Sequence, residues 1–385
     1  MIAAVGHSDD LDSANAIAEA LDACAATLGG KTPQAGLLYA GIEQDFQALL
    51  DGVEARYPGI QLIGGTTHGE ISSAGFGEDS VALMLFHSDR LEFGAGVGEG
   101  VRADPEGAAK RAVAMARDGL AQPVRLAVTV PEGLGIEVKK VVDVIHAEIG
   151  EQATLCGGMA GDQVRFQQTH QFCNGRVYTD AVPVLLFGGP LAVATGVASG
   201  WIPMGEEHRL TKVNGQTIVE MDGEPVRDVW HRYFGSFDIR GSRNQFAIYP
   251  GESDGRQAQE FYLCAPSHFQ EDGTMVTLNP VIPGARIRFA DATRDQVLGG
   301  AATSVDNARA SFVGEPEAAL VFSCAGRHAT LGTRVSNEIG LLTDRLGAVP
   351  TIGFYTYGEI CPLPGSNTPY AHGSTFVTVL IGEEG

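Results

Sequence analysis

The same plan occurs three times along this chain, and this internal repetition constrains the fold more than any other feature of the sequence. Each copy reads as a strand, a helix, a second strand and a glycine-rich loop that ends in an acidic residue. The loops are IGGTTHGEI at 63–71, CGGMAGD at 156–162 and IGFYTYGEI at 352–360. The sequence therefore predicts a mixed α/β fold that repeats a unit of about 90 to 100 residues.

The helix-like segment of the middle copy shows the clearest periodicity. Its apolar residues have the i, i+3, i+4, i+7 spacing of an amphipathic helix packed on a sheet: Val138, Val141, Val142, Ile145 and Ile149. A further helix is predicted at 101–120, where Asp104 is a suitable N-cap and Pro105 takes the first helical position.

Strand pairs follow the first two loops. The segments 81–100 and 182–200 each contain two apolar runs separated by a short turn, and we predict that each folds as a β-hairpin. Another hairpin is predicted around Asn174-Gly175, a strong turn dipeptide. Alternating glycines from 94 to 100 leave one strand face without side chains, and such a face lets another sheet or a ligand approach closely.

The turn-forming stretch WIPMGEEHR at 201–209 marks the predicted domain boundary. We predict that residues 1–205 form a first domain from two repeat units. Residues 206–385 are predicted to form a second domain from a strand-rich inserted region and the third unit. The predicted fold class is therefore α/β (mixed α+β), with repeated strand-helix-strand-hairpin units in two associated mixed-sheet domains.

Composition and charge narrow the functional classes. The chain carries 26 Lys and Arg against 47 Asp and Glu, and its net charge of -21 disfavours nucleic acid and anionic membranes as partners. No apolar run reaches the roughly 18 residues of a membrane span, and the first residues lack the basic region of a signal peptide. We therefore expect a cytoplasmic protein. The cysteines form no CxxC pair, so neither a zinc site nor a redox motif is indicated.

Several motifs occur in a fixed order along nearly the whole chain. They are GGTTHGEIS, CGGMAGD, DGEPVRDVW, LVFSCAGR and GFYTYGEICP. Together they resemble the FIST sensory domain family, named for F-box and intracellular signal transduction proteins; the first two are similar to its N-terminal half and the others to its C-terminal half. The chain departs from the family pattern at Cys361-Pro362, where Gly-Pro is usual, and at His372-Gly373, where His-Asn is usual.

The resemblance implies a two-part α/β input module that binds a small molecule and is not an enzyme. We expect an amino-acid-like metabolite at the loops between the two halves, with no cofactor required, and a separate signalling partner such as a histidine kinase. Some bacterial members of the family are similar stand-alone proteins that bind heme and sense nitric oxide. Heme is therefore the alternative ligand.

The three loops are the expected ligand site, because glycine-rich turns at strand ends expose backbone N–H groups and let ligand atoms approach. The loops lack both GK[ST] and GxGxxG, so a nucleotide site is not indicated. The candidate ligand-binding residues are Thr66, Thr67, His68, Glu70, Met159, Asp162, Arg327, Tyr355, Tyr357 and Glu359.

The chemistry of these candidates leaves alternatives open. Glu70, Asp162 and Glu359 occupy equivalent positions, where they either bind an ammonium group or a metal ion, or accept hydrogen bonds from their own loops. His68 is either a ligand donor, a heme or metal ligand or a pH-sensitive group, or it is a satisfied loop residue. Arg327 either clamps a ligand carboxylate or pairs with a loop acid such as Glu359.

A hydrolase-like enzyme is a third functional alternative, with Cys156 as nucleophile and a nearby histidine as base. A buried small residue would suit the same position, because Cys156 directly precedes Gly157-Gly158 in a turn. The sequence contains no recognised catalytic arrangement, so we assign no catalytic residue and no metal ligand.

Overall fold

Three six-stranded sheets with one shared strand order form the framework of the molecule. The computed structural model describes residues 1–236, 244–249, 261–278, 281–363 and 365–385. The first repeat contributes β1 (Ile2–Ser8), β2 (Ala35–Ala40), β3 (Gln61–Thr66), β4 (Glu70–Ser72), β5 (Gly75–Gly77) and β6 (Val81–His87). The second contributes β7 (Glu92–Glu99), β8 (Val124–Thr129), β9 (Thr154–Gly158), β10 (Gln171–Cys173), β11 (Arg176–Tyr178) and β12 (Ala181–Gly188).

The third repeat is interrupted by an insertion after its first strand, β13 (Leu191–Ala198). The insertion contains β14 (Ile202–Asn214), β15 (Thr217–Met221), β16 (Glu224–Pro225), β17 (Gln245–Tyr249), β18 (Tyr262–Cys264), β19 (Pro266–Phe269), β20 (Met275–Thr277) and β21 (Arg286–Asp291). The repeat then continues with β22 (Ala318–Cys324), β23 (Thr351–Thr356), β24 (Glu359–Pro362), β25 (Pro369–His372) and β26 (Phe376–Glu383).

The fourth and fifth strands of each repeat belong to the sheet of another repeat. The strand orders are β1-β6-β2-β3-β10-β11, β7-β12-β8-β9-β24-β25 and β13-β26-β22-β23-β4-β5. The only parallel pair in each order joins the second and third strands of one repeat, as in β2 with β3. The glycine-rich loop of each repeat follows that third strand and carries the chain across to the neighbouring sheet. The mixed α/β class and the threefold repetition are thus confirmed.

Helices cover the outer faces of these sheets. The inner faces of the three sheets pack together in one hydrophobic core. The helices are α1 (Ser13–Leu28), α2 (Phe46–Arg56), α3 (Pro105–Arg117), α4 (Val138–Ile149), α5 (Val226–Phe234), α6 (Arg294–Ser311), α7 (Ala325–Leu331) and α8 (Val335–Leu346), with a 3₁₀ turn at Gly332–Arg334. Ring contacts cross between sheets in the core, at 5.3 Å for Phe86 with Phe187 and 4.5 Å for Tyr39 with Phe354. No helix of the described residues is both long and apolar enough to cross a bilayer.

The predicted helix signals are confirmed. In α4 the buried residues are the five apolar positions of the predicted stripe. In α3, Pro105 is the first helical residue and the Asp104 carboxylate accepts a hydrogen bond from the Gly107 N–H. Asp104 therefore caps one of the N–H groups that a helix leaves unpaired at its start.

The predicted hairpins at 81–100 and 182–200 are wrong in their pairing. β6 lies between β1 and β2, and β12 lies between β7 and β8, so both edges of each strand are already hydrogen-bonded. The strand that follows cannot pair with its predecessor and instead begins the next sheet. The hairpin at Asn174-Gly175 is confirmed, because Cys173 pairs with Arg176 and both turn residues have positive φ, as a type I′ turn requires.

A helix, rather than a sheet or a ligand, covers the glycine face of β7. A Cβ atom added at Gly96 would lie 2.2 Å from the carbonyl oxygen of Ala112 in α3. The same close approach occurs at equivalent places in the other repeats. A Cβ atom added at Gly6 would lie 1.9 Å from the carbonyl oxygen of Ala20 in α1, and one added at Gly196 would lie 1.9 Å from the carbonyl oxygen of Ser304 in α6. The missing side chains therefore set the distance between the first strand of each repeat and its helix.

The insertion forms a fourth, eight-stranded sheet in the order β18-β17-β21-β14-β15-β20-β19, with β16 paired to β15. Parts of the predicted strand-rich region, 250–260 and 279–280, lie outside the described residues. Strand β14 runs through the predicted boundary between residues 205 and 206. Strands from 1–205 and from 206–385 also share two of the six-stranded sheets, and the division into two domains stays a prediction.

The close contact of β7 with α3 makes Gly96→Ala a test of this packing. We expect the variant to lose about 1 to 3 kcal/mol of unfolding free energy, because the added methyl group overlaps a backbone oxygen. Urea unfolding followed by circular dichroism measures the loss. The control is Gly299→Ala in α6, where an added Cβ meets nothing within 4 Å and helix propensity predicts a gain of up to about 1 kcal/mol. Equal stability of the two variants would contradict the packing.

Candidate functional site

The three glycine-rich loops meet and bond to one another through their backbones. The first and third loops exchange two hydrogen bonds, from the His68 N–H to the Tyr355 carbonyl (3.0 Å) and from the Tyr355 N–H to the Gly69 carbonyl (2.8 Å). The second loop donates the Gly161 N–H to the Thr66 carbonyl of the first loop at 2.8 Å.

Backbone hydrogen bonds also join the second and third loops, so each loop is bonded to both of the others. The Met159 N–H donates to the Gly358 carbonyl at 2.8 Å, and the Tyr357 N–H donates to the Met159 carbonyl at 3.2 Å. We call residues 66–70, 159–162 and 355–359 the loop ring. Because buried backbone groups must be paired, each loop holds its conformation only with the other two in place.

Two of the three equivalent acids have the same surroundings. Glu70 accepts hydrogen bonds from the Thr67 hydroxyl and from the Ser80 N–H (3.0 Å) and hydroxyl (2.7 Å). Glu359 accepts from the Thr356 hydroxyl (2.7 Å) and from the N–H (3.1 Å) and hydroxyl (2.7 Å) of Thr375. Burial raises the pKa of both carboxyl groups to about 7, against the lowering effect of these hydrogen bonds.

Asp162 is held differently. Its carboxylate accepts the backbone N–H groups of Phe166 (3.0 Å), Gln167 (2.7 Å) and Gln168 (3.1 Å), and the hydroxyl of Tyr357 (2.5 Å). Burial acts to raise the pKa of Asp162, but these donors outweigh it and hold the pKa below its usual value. All three acids therefore accept hydrogen bonds from the ring and the segments beside it.

His68 is the ring side chain with an unused polar atom. Its Nε2 lies 3.2 Å from Nδ1 of His328, whose Nε2 lies 3.3 Å from the carboxylate of exposed Glu78. The Nδ1 of His68 is buried and has no hydrogen-bond partner among the residues that the structure describes. Burial and the neighbouring His328 lower the pKa of His68 to about 4, so its imidazole is neutral at pH 7.

The segment 163–168 packs against Tyr357, whose ring centroid lies 6.5 Å from that of His68. The Phe166 ring stacks on Tyr357 at 5.3 Å, and the Val164 N–H donates to the Tyr357 hydroxyl at 2.6 Å. Gln163, Val164 and Phe166 have positive φ values of 54°, 64° and 49°. Left-handed backbone costs a residue other than glycine about 1 to 2 kcal/mol, so the segment is strained.

Two apolar side chains of this segment are exposed to solvent, Val164 by 52% and Phe166 by 61%. Neither residue is among the candidates predicted from the sequence. The apolar pair Val164 and Phe166 directly after CGGMAGD, in a stretch that otherwise reads as polar, was the available signal.

Arg327 pairs with an acid outside the loop ring, so pairing with Glu359, one of its two predicted roles, is wrong. Its guanidinium is fully buried and paired with Glu338 of α8 at 2.5 Å. It also donates to the carbonyl groups of Ser199 (2.5 Å) and Val297 (2.7 Å). The cause is the position of Arg327 in α7, on the outer side of its sheet, where α8 supplies the nearer carboxylate.

Tyr355 connects this buried ion pair with the loop ring. Its hydroxyl donates to Glu338 at 2.6 Å, and its ring packs against His328 with 5.1 Å between centroids. Ser199 lies just before β14, and Val297 lies in the first turn of α6, which follows β21. The Arg327 guanidinium therefore binds beside both connections to the fourth sheet.

The remaining candidate side chains serve the ring itself. The Thr66 hydroxyl accepts the His170 N–H at 3.0 Å, and the Thr67 hydroxyl accepts the Gly69 N–H at 2.9 Å. The Met159 side chain is buried under Gly358, where an added Cβ would lie 3.0 Å from its sulfur. Of the predicted residues, His68, Asp162 and Tyr357 lie together: the Tyr357 hydroxyl donates to Asp162, and its ring centroid lies 6.5 Å from that of His68.

The geometry opposes a nucleophilic role for Cys156. This residue is fully buried in the central core, and burial raises the pKa of its thiol well above the usual value. Cys361 is equally buried, with its thiol pKa raised to about 12. A thiolate is the reactive form, and neither site favours it. Within the described residues, no three His, Cys, Asp or Glu side chains are grouped to hold a metal ion.

Two surface depressions lie away from the ring. Their volumes are about 430 and 450 Å³, and their walls include Val124 and Gln152 in the first and Gln34 and Gln61 in the second. These residues lie at the start of the parallel strands or just before it, whereas the loop ring follows the end of those strands. Neither depression is lined by a residue of the loop ring.

Family models match most of the chain. The model described as the FIST N domain matches residues 34–224, and the model described as the FIST C domain matches residues 227–362. Uncharacterized proteins from two strains of Mycobacterium tuberculosis are each 26% identical over 98% of this chain and 98% of their own length. An uncharacterized protein of Mycobacterium bovis is 25% identical over 60% of this chain and 61% of its own length.

One solved structure shows distant similarity to the chain. The crystal structure of a cyanuric acid hydrolase from A. caulinodans has a TM-score of 0.37 and 13% sequence identity, and the match covers 100% of this chain and 99% of that chain.

The raised pKa of Glu70 predicts a measurable pH dependence. Its proton is lost near pH 7 in the folded protein but near 4.5, the ordinary value, in the unfolded chain. Stabilisation from the protonated carboxyl group is therefore complete below pH 4.5 and disappears as the pH rises through 7. Glu70→Gln removes this titration, so the unfolding free energy of the variant relative to wild type should increase by about 3 kcal/mol from pH 4.5 to 7.5.

Urea unfolding at a series of pH values measures this difference. The matched control is Glu137→Gln in an exposed ion pair with Lys140, for which the difference from wild type should stay nearly constant. A pH-independent offset for Glu70→Gln would show that the buried carboxyl group ionises normally.

Proposed function

The chain belongs to the FIST family, whose domains are sensory domains of signal transduction, and we propose that it is a bacterial sensory protein that binds a small molecule beside His68 at the loop ring. The observation that carries this proposal is the junction itself. Three loops from three sheets are joined there by backbone hydrogen bonds, and His68 keeps an unpaired ring nitrogen at the junction.

The ligand proposed for this site is a small polar metabolite with a flat or amino-acid-like group. Neutral His68 offers one nitrogen to such a ligand, and Tyr357 with Phe166 offers an aromatic face. The three loop acids are poor candidates for binding its ammonium group, because their oxygens already accept hydrogen bonds from nearby donors. The ligand would therefore be held by the histidine and the aromatic rings.

Binding is proposed to move the segment 163–168. The Nδ1 atom of His68 is buried, so a ligand reaches it only when a neighbouring segment shifts. Strained backbone at Gln163, Val164 and Phe166 lowers the cost of rearranging this segment. Such a rearrangement is a conformational change that a partner can detect.

The proposed route to the rest of the molecule runs through Tyr355. This residue shares backbone hydrogen bonds with the first loop and shares Glu338 with Arg327. Arg327 in turn binds beside the two connections to the fourth sheet. We therefore propose that this sheet contributes to output toward a separate cytoplasmic signalling protein, such as a histidine kinase.

Heme fits the described residues less well. A heme site needs a His, Cys or Tyr that faces a large apolar cavity. The unpaired nitrogen of His68 is buried, and its other ring nitrogen is hydrogen-bonded to His328. Cys361 of the Cys361-Pro362 pair lies in the core. Neither described depression includes a histidine, cysteine or tyrosine in its wall.

Thermal unfolding in the presence of a library of amino acids and small heterocyclic metabolites tests the proposal. We expect at least one compound to stabilise the wild-type protein, by about 2.7 kcal/mol at 100 times its dissociation constant. His68→Gln should abolish this stabilisation, because glutamine cannot supply the imidazole. His87→Gln is the control, since His87 lies in β6 and bonds to the Thr32 carbonyl, outside the ring.

Two results would overturn the proposal. Full stabilisation of the His68→Gln variant would place the ligand elsewhere. A Soret band in protein that is expressed with heme supplied, and that is lost in His68→Gln, would identify heme as the ligand instead.

A further inference from the structure

Another group of titratable side chains lies in the fourth sheet, outside the loop ring. His208 of β14 makes two side-chain hydrogen bonds. Its Nδ1 lies 2.7 Å from Oδ2 of Asp222, and its Nε2 lies 2.8 Å from the Tyr233 hydroxyl. We propose that Tyr233 is a nucleophile activated by His208 and that it accepts an acyl group from an uncharged activated ester.

The hydrogen bonds define the role of each group. The second oxygen of Asp222 accepts the Arg209 N–H at 2.8 Å, which fixes the carboxylate in place. Burial acts to raise the pKa of Asp222, but the Arg209 N–H and His208 together lower it, so the group stays ionised. An ionised carboxylate orients the His208 ring with its proton on Nδ1, and Nε2 is then free to accept the proton of Tyr233.

The backbone around Tyr233 is shaped to bring a donor to the phenolic oxygen. Strand β14 departs from its regular pairing between Met204 and His208. Gly205 in this bulge has a φ of 71°, and a Cβ there would lie 2.6 Å from the Tyr233 ring. The bulge places the Glu206 N–H 3.4 Å from the Tyr233 hydroxyl, where it would stabilise negative charge on the oxygen.

The acid and the tyrosine of this group both remain partly accessible to solvent. The Tyr233 ring is already anchored by Phe289, with 4.3 Å between centroids. Asp222 and Gly223 form the tight turn between β15 and β16, where positive φ is usual, and the Asp222 side chain is 45% exposed. An acid, an imidazole and a hydroxyl connected in that order form the arrangement that activates a nucleophile, and Tyr233 is only partly buried.

The proposed reaction is a simple acyl transfer. The Tyr233 O–H proton moves to Nε2 of His208 as the phenolic oxygen forms a bond to the ester carbonyl carbon. The bond from that carbon to the leaving oxygen then breaks, and the leaving group takes the proton from His208. The products are O-acyl Tyr233 and a free alcohol or phenol. The net charge of -21 disfavours anionic donors such as acyl phosphates and thus favours an uncharged ester.

The probe for this reaction is p-nitrophenyl acetate, applied to the full chain at pH 7.5 with peptide mass spectrometry at short times. Tyr57 is the internal control, because it is also partly buried and its hydroxyl makes no hydrogen bond to a histidine of the described part of the chain. General-base assistance is worth about 100-fold or more, so Tyr233 should be acetylated at least about ten times faster than Tyr57. Equal rates at Tyr233 and Tyr57 would overturn the proposal without any variant.

Variants assign the effect to His208. His208→Gln should reduce acetylation of Tyr233 to the rate of Tyr57, and Asp222→Asn should reduce it in part, with the rate at Tyr57 unchanged in both. Circular dichroism and the unfolding midpoint verify that each variant is folded. A folded His208→Gln protein that is acetylated at Tyr233 as fast as wild type would contradict the role of His208. The loop ring does not enter this test, so the two proposals fail independently.

Discussion

Backbone hydrogen bonds between the three glycine-rich loops are the interaction on which the rest of the structure depends. Each loop carries the chain from its own sheet to a neighbouring sheet, and a strand donated by another repeat completes every sheet. No repeat can therefore bury its inner face alone. The loops enclose and bury Glu70 and Glu359. This burial raises the pKa of both carboxyl groups.

The same junction explains why the site we propose lies at His68. Glycine and backbone groups fill most of the ring, and the acids and threonines serve their own loops, so little capacity for ligand binding remains. His68 differs because one nitrogen is unpaired and the segment 163–168 beside it is strained. Tyr355 and Glu338 connect this point to Arg327 and the fourth sheet, which gives a sensory domain a continuous set of polar contacts.

Much of the fold was predictable from the sequence because repetition and periodicity are local signals. The apolar stripe of α4, the Asp104 cap and the Asn174-Gly175 turn all specify structure within a few residues. The two wrong hairpins show the limit: which strand pairs with β6 depends on whether its edges are already occupied, and distant strands decide that. Likewise, the partner of Arg327 follows from the placement of α8, and Phe166 matters through its contact with Tyr357.

The most direct test of the loop ring is native-state hydrogen exchange at its donors. The N–H groups of His68, Met159, Gly161, Tyr355 and Tyr357 bond between loops. If the ring is one cooperative unit, these amides exchange together, with an opening free energy close to that of global unfolding. Opening of one loop at a much lower free energy, while the other two stay protected, would contradict the account.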